Sequence, residues 1–267
     1  MNQINQNTNT KIYVPDNDNT LLIKAMDNIN KNEELLTLWK VININAVDRL
    51  NMTDHGYVHF QIVANISVKF IRMLIAKNIE MTITKNYQLS DQYAELVVFL
   101  ASVLHDLGMT VSRRDHENYS LFLANNLLHQ IIDFLPIEEK TIVISEVLHA
   151  IISHRSDGKP LTLEAGIVRV ADALDMSKGR SRIAYESENL DIHSVSAAAI
   201  EKVDIEEGVG TKKPIQIKIL MNNSAGIFQL DELLKKKIIG SGIEKYVSVY
   251  AYINQKTEKK LLKEYQI

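Results

Sequence analysis

The segment Leu96-Val97-Val98-Phe99-Leu100-Ala101-Ser102-Val103-Leu104 carries no charge and closes on His105-Asp106-Leu107-Gly108. Apolar residues at helical spacing predict a buried helix, and Gly108 suits a left-handed residue at its end. The consequence is severe for the fold. An imidazole and a carboxylate stand side by side where the chain leaves its interior, and buried polar groups are costly unless they are hydrogen-bonded or coordinate a metal. Further candidates lie along the chain on both sides: His59 before, and His116, His154 and Asp172 after.

The chain has 267 residues, enough for a sizeable core and one or two domains. A net charge of −3 gives no reason to expect nucleic acid or an anionic membrane as partner. No apolar stretch reads as a membrane span, and the Asn- and Gln-rich start, Met1 to Thr10, lacks the pattern of a signal peptide. Zero cysteines exclude disulfides, thiolate metal sites and cysteine nucleophiles. The expected location is the cytoplasm. Any metal site must use nitrogen and oxygen donors, which suits Mn, Fe, Ni, Co, Zn or Mg.

The fold class expected is mainly α, a helical bundle followed by a small α+β domain. Residues 1–19 are polar and read as a flexible N-terminus. Residues 20–193 form the helical domain. Within it, Thr20 to about Leu50 is helical, Asp54 starts a long helix to about Asn78, and Ser90 caps the helix ending at His105-Asp106. Asp115 caps the next, Glu138 to about Ser153 is another, and Thr162 caps one carrying Val168, Ala171 and Leu174. Residues 194–267 form the α+β domain, β-β-α-β in order. Its strands are Ala197 to Glu206, Ile215 to Met221 and Val247 to Ile253, with a helix capped by Ser224 and running to about Lys237. The run Lys235-Lys236-Lys237 reads as a solvated helix end.

Several residues could carry chemistry. His55 and His59 are four apart and share a helix face. Asp172, four residues after Val168, lies near an apolar face, and a carboxylate there needs a partner such as Arg180 or Arg182. Asp175 could share that face. His149 is five residues before His154 and reads as structural.

The order His59, His105-Asp106, Asp172 resembles the H…HD…D signature of the HD superfamily of metal-dependent phosphohydrolases. The likeness is carried by His59-Phe60-Gln61-Ile62-Val63-Ala64, by Leu104-His105-Asp106-Leu107-Gly108, and by Ile167-Val168-Arg169-Val170-Ala171-Asp172-Ala173-Leu174-Asp175. It implies an α-helical bundle and the metal ligands His59, His105, Asp106 and Asp172. By the same resemblance His116 and His154 are additional ligands, giving one or two divalent ions with Asp106 between them. No GYP motif follows, which argues against a cyclic dinucleotide substrate. His55-Gly56-Tyr57-Val58-His59 is similar to the His-Asn-x-x-His pattern of cyclic-nucleotide phosphodiesterases, and this makes His55 a candidate general acid.

The implied reaction is hydrolysis of a phosphoester of a nucleotide or small phosphorylated metabolite by a metal-bound hydroxide. Arg180, Lys178 and Arg155 are candidate cations for its phosphate, with Arg180 also stabilising the charge that develops there. Two other readings stay open: a non-catalytic regulatory or nucleotide-binding module, and an HD-type di-iron oxygenase. A homodimer is the expected assembly.

Overall fold

The computed structural model describes residues 11–155, 157–176, 196–208, 213–254 and the backbone of 265–266. Eight helices come first: α1 (Thr20–Lys31), α2 (Glu33–Asn43), α3 (Tyr57–Ile75), α4 (Thr82–Tyr87), α5 (Asp91–Leu104), α6 (His116–Ile131), α7 (Ile137–Ser153) and α8 (Leu163–Ala173). Strands β1 (Ile200–Glu207), β2 (Ile215–Met221), β3 (Val247–Ile253) and the short β4 (Tyr265–Gln266) follow, with a helical segment α9 over 227–238 between β2 and β3.

Helix α5 is the axis of the bundle. Every side chain from Leu96 to Leu104 is buried, because α1, α3, α7 and α8 all pack around it. Burying each Leu, Val or Phe of that stretch contributes about 1.5–3 kcal/mol against the entropy of ordering it. Polar ties fix the register of the surrounding helices. Asn19 caps α1 by accepting from the Leu21 and Leu22 N–H groups, each at 3.1 Å, and its amide donates to the Gln92 carbonyl on α5 at 3.1 Å. Trp39 Nε1 donates to the Val103 carbonyl at 3.1 Å, and Ser102 donates to Ser67 Oγ at 2.9 Å.

Several details depart from the sequence reading. The stretch 11–19 is not loose: Ile12 and Val14 are buried, and the Tyr13 N–H donates to Gln61 Oε1 at 2.8 Å. Helix α3 begins at Tyr57 rather than Asp54, whose Oδ1 instead accepts from the Gly56 N–H at 2.9 Å. Gly108 is not in the left-handed region. A glycine is required there for proximity, since a Cβ would lie 1.9 Å from the His116 carbonyl oxygen. Finally, Tyr57–Ile75 and the stretch Asp91–Thr110 are long and apolar enough to cross a membrane by length and composition. The second is 83% buried inside the protein, as a core helix must be.

The sheet has the order β1-β2-β3-β4, with β1/β2 and β3/β4 antiparallel and β2/β3 parallel. A parallel neighbour needs a crossover, and α9 supplies it. Residues along β2 alternate between buried and half-buried, as their alternating sequence predicts. Asn223 Oδ1, not Ser224, accepts the capping hydrogen bond from the Ala225 N–H. One buried cluster runs through bundle and sheet alike, including Ile215, Ile217, Val247 and Val249. Gly166 on α8 permits this contact, because a Cβ there would lie 1.9 Å from the Ser241 carbonyl oxygen.

Two predictions follow from these contacts. Gly108→Ala drives a methyl group into the α6 backbone and is expected to lower stability by about 3 kcal/mol in urea unfolding. The second concerns Glu164, fully buried at the start of α8, where its Oε1 accepts from the Ile83 N–H at 3.0 Å. Burial pushes its carboxyl above the ordinary 4.5, against the pull of that hydrogen bond. A carboxyl raised by folding gives stability that is complete below its unfolded pKa and is lost as pH rises through the folded one. Glu164→Gln should therefore flatten the fall in Tm as pH rises above the ordinary carboxyl range; equal slopes in both proteins would refute the assignment.

Candidate metal centre

Five helices converge on one cluster. His59 comes from α3, His105 is the residue that ends α5, His116 begins α6, His154 ends α7 and Asp172 lies on α8. Asp106 follows His105 as the chain turns into a short 3-10 helix, and Asp175 follows the end of α8. All these side chains are buried or nearly so.

The histidine Nδ1 atoms are all occupied from outside the cluster. Nδ1 of His59 meets Asp175 Oδ2 at 2.6 Å. Nδ1 of His105 meets the Ser102 carbonyl at 2.9 Å, and that of His154 meets the Ile151 carbonyl at 2.6 Å. His116 Nδ1 lies 3.0 Å from the Arg113 carbonyl and 3.1 Å from Arg113 Nη1. A proton on Nδ1 satisfies the carbonyl, so we take that contact as the hydrogen bond. An acceptor against Nδ1 holds the proton there and leaves the Nε2 lone pair for the interior.

The Nε2 atoms face one another around Asp106. His59 and His105 Nε2 are 3.1 Å apart, and lie 3.4 and 3.6 Å from Asp172 Oδ1. Asp106 Oδ2 is 3.8 Å from His59 Nε2 and 3.6 Å from His105 Nε2. Its other oxygen, Oδ1, is 3.0 Å from His116 Nε2 and 3.6 Å from His154 Nε2. The carboxylate thus stands between two donor groups, His59/His105/Asp172 and His116/His154 with Glu117. Within each of three overlapping trios the donor atoms lie within 4.8 Å of one another. Lone pairs converging with their opposite nitrogens already bonded are what a divalent cation requires, so the residues fit the metal.

The electrostatics mark an anionic centre: burial would lower His105, but Asp106 and Asp172 beside it raise it. Burial alone would raise Asp106, but His105, His116 and His154 around it hold it well below the usual carboxylate range. Asp172 is likewise held ionised against burial, chiefly by Lys237 and His105. Burial, reinforced by His105, pushes His154 down to about 3, so its ring is neutral and able to ligate.

The structure brings His59, His105, Asp106, His116, His154 and Asp172 together. His55 stands beside them, its ring centroid 5.6 Å from that of His59 and its Nδ1 2.6 Å from the Thr53 carbonyl. Arg155 reaches the rim, 3.5 Å from Glu117 Oε1, with its side chain half exposed. Lys178, Arg180 and Arg182 lie outside the described residues. His149 is apart from the cluster, accepting from the Leu161 N–H at 2.9 Å.

Three roles escaped the sequence reading. Glu117 is a buried donor beside His116, where an acid in a first helical turn ordinarily signals only the dipole. Asp175 orients His59. Among the described residues Asp172 pairs with Lys237, which is shielded against the site, 13% exposed, rather than solvated with its neighbours. No local signal distinguishes that lysine from the two before it.

Fold and site together define a helical protein with a buried histidine and carboxylate centre suited to divalent metal. The HD domain family model matches residues 61–177, beginning just after His59 and taking in the rest of the cluster through Asp175. The chain is 44% identical over 242 residues to the uncharacterized protein MJ1020 of Methanocaldococcus jannaschii, spanning 90% of this chain and 92% of that one. The chain belongs to the HD family, a superfamily of metal-dependent phosphohydrolases. No solved structure matches it.

Asp175 gives the prediction from this geometry. Asp175→Ala removes the carboxylate that orients His59 and should weaken metal binding at the His59 side by about 10–100-fold. Asp175→Asn, which retains an acceptor, should lose less. Titration with Mn or Co followed by calorimetry reads both.

Proposed function

We propose that this protein is a metal-dependent phosphohydrolase acting on a phosphoester of a nucleotide or other small phosphorylated metabolite. The observation that carries the reading is the convergence of the Nε2 atoms of His59, His105, His116 and His154 on the two oxygens of Asp106. His59, His105 and Asp172 would hold one divalent ion, and His116, His154 and Glu117 a second, with Asp106 shared. Such ions supply Lewis acidity toward phosphoryl oxygens and acidify coordinated water.

The remaining chemistry falls to the chain. His55 is assigned the general acid: its Nδ1 is engaged by the Thr53 carbonyl, so Nε2 is the atom that delivers a proton to the leaving oxygen. Asp175 keeps His59 in the ligating tautomer. Arg155, at the Glu117 rim, and Lys178 and Arg180 are proposed to meet the phosphate. A complete donor set favours an enzyme over a regulatory module. We place the activity in the cytoplasm, on a small diffusible substrate, with a homodimer as the working assembly.

Elemental analysis beside a phosphate-release assay on p-nitrophenyl phosphate tests this. The wild type should carry about two equivalents of transition metal. Asp106→Ala should lose both ions and all phosphate release above background. Failure to retain metal after incubation with Mn, Fe, Co, Ni and Zn would overturn the reading. Metal retained as iron alone, with no phosphate released from any ester, would point to the oxygenase chemistry instead.

A further inference from the structure

The lysines 235–237 do not form one surface. Lys235 and Lys236 pair one turn back along α9, with Asp231 and Glu232, and their side chains are 44% and 53% exposed. Lys237 is 13% exposed and its Nζ meets Asp172 Oδ2. Successive helical residues turn by about 100°, and the third lysine falls on the face of α9 that packs on α8. That face is held firmly. Buried Arg169, one turn before Asp172, donates to the Lys236 carbonyl at 2.9 Å and to the Gly158 carbonyl at 2.5 Å. One helix, α8, therefore fixes both Asp172 and the backbone that carries Lys237.

Asp172 divides its oxygens. Oδ1 faces Nε2 of His59 and His105, whereas Oδ2 receives Lys237. An ammonium has three N–H donors, and this carboxylate needs only one of them. Poorly exposed ion pairs add little stability over apolar packing, so stability alone is a weak reason for this lysine. Its charge is also felt by His154 on the far side of the cluster. The other cations at the cluster, Arg113 and Arg155, attend His116 and Glu117. Among the described residues, Lys237 is the cation at the Asp172 side.

We propose that Lys237 binds a non-bridging phosphoryl oxygen of the substrate, so that the C-terminal α+β domain completes a site otherwise built by the helical bundle. Asp172 holds the ammonium in place beside the cluster and leaves it donors to spare. The inference rests on the phosphohydrolase reading above.

The test uses the full-length protein loaded with Mn, with inorganic phosphate as probe. Phosphate affinity is measured by equilibrium dialysis and metal content by elemental analysis for the wild type, Lys237→Met, Lys237→Arg and Lys236→Met. Lys237→Met should weaken phosphate binding about tenfold or more, with metal content unchanged. Lys237→Arg should restore most of the affinity, and Lys236→Met should match the wild type. If Lys237→Met does not fold, Lys237→Gln, which keeps a hydrogen bond to Asp172 without the charge, gives the same readout. Unchanged phosphate affinity, or loss of metal in place of phosphate, would overturn the proposal and make Lys237 a counter-ion of Asp172. Metal-loaded wild type that binds no phosphate would instead defeat the phosphohydrolase reading, and this inference with it.

Discussion

The carboxylate of Asp106, enclosed by His105, His116 and His154, is the interaction on which the rest of the structure depends. Burying a carboxylate costs several kcal/mol unless charge or hydrogen bonds compensate. Here the compensation comes from imidazoles on α5, α6 and α7, and none of those helices can shift without exposing the cost. Each histidine is anchored in turn by its outer nitrogen: to the Ser102 and Ile151 carbonyls of its own helix, or to the Arg113 carbonyl just before it. Backbone groups at helix ends normally need partners from elsewhere. The site uses that need, placing His105 and His154 where a helix ends and its carbonyls are available.

Much of this was legible in the sequence because it follows from short-range rules. The apolar run of α5, the alternation of β2 and the Thr162 cap, which accepts from the Ala165 N–H at 3.1 Å, all appear where the pattern put them. The six clustered residues could be picked out because their order along the helices resembles the HD signature. What was hidden depends on contacts between segments distant in sequence. Nothing local to Lys237 reveals that α8 lies against α9, and nothing in the polar stretch before Thr20 reveals that Gln61 will bind Tyr13. Gly108 was read for the wrong property: its value lies in how near α6 comes, not in its backbone angle.

Helix α8 is the element through which bundle and sheet know of each other. Along three successive turns it offers Gly166 to the Ser241 carbonyl, Arg169 to the Lys236 carbonyl and Asp172 to the Lys237 ammonium. Its opposite side joins the common core through Ile167, Val168 and Ala171. A displacement of the sheet would therefore be felt at Asp172, since close-packed interiors transmit strain.

The position of His105 at the end of α5 also bears on how such a chain can evolve. Because α5 is buried on all sides from Leu96 to Leu104, that stretch has no neutral face along which a register error could be absorbed. One residue inserted between Leu96 and Leu104 would rotate His105 by about 100° and carry it about 1.5 Å along the axis, toward apolar neighbours. Length variation should then be confined to the connections, such as 132–136, while the number of residues from Leu96 to His105 stays fixed. The helix acts as a ruler, and lineages that change its length must abandon the centre it measures out.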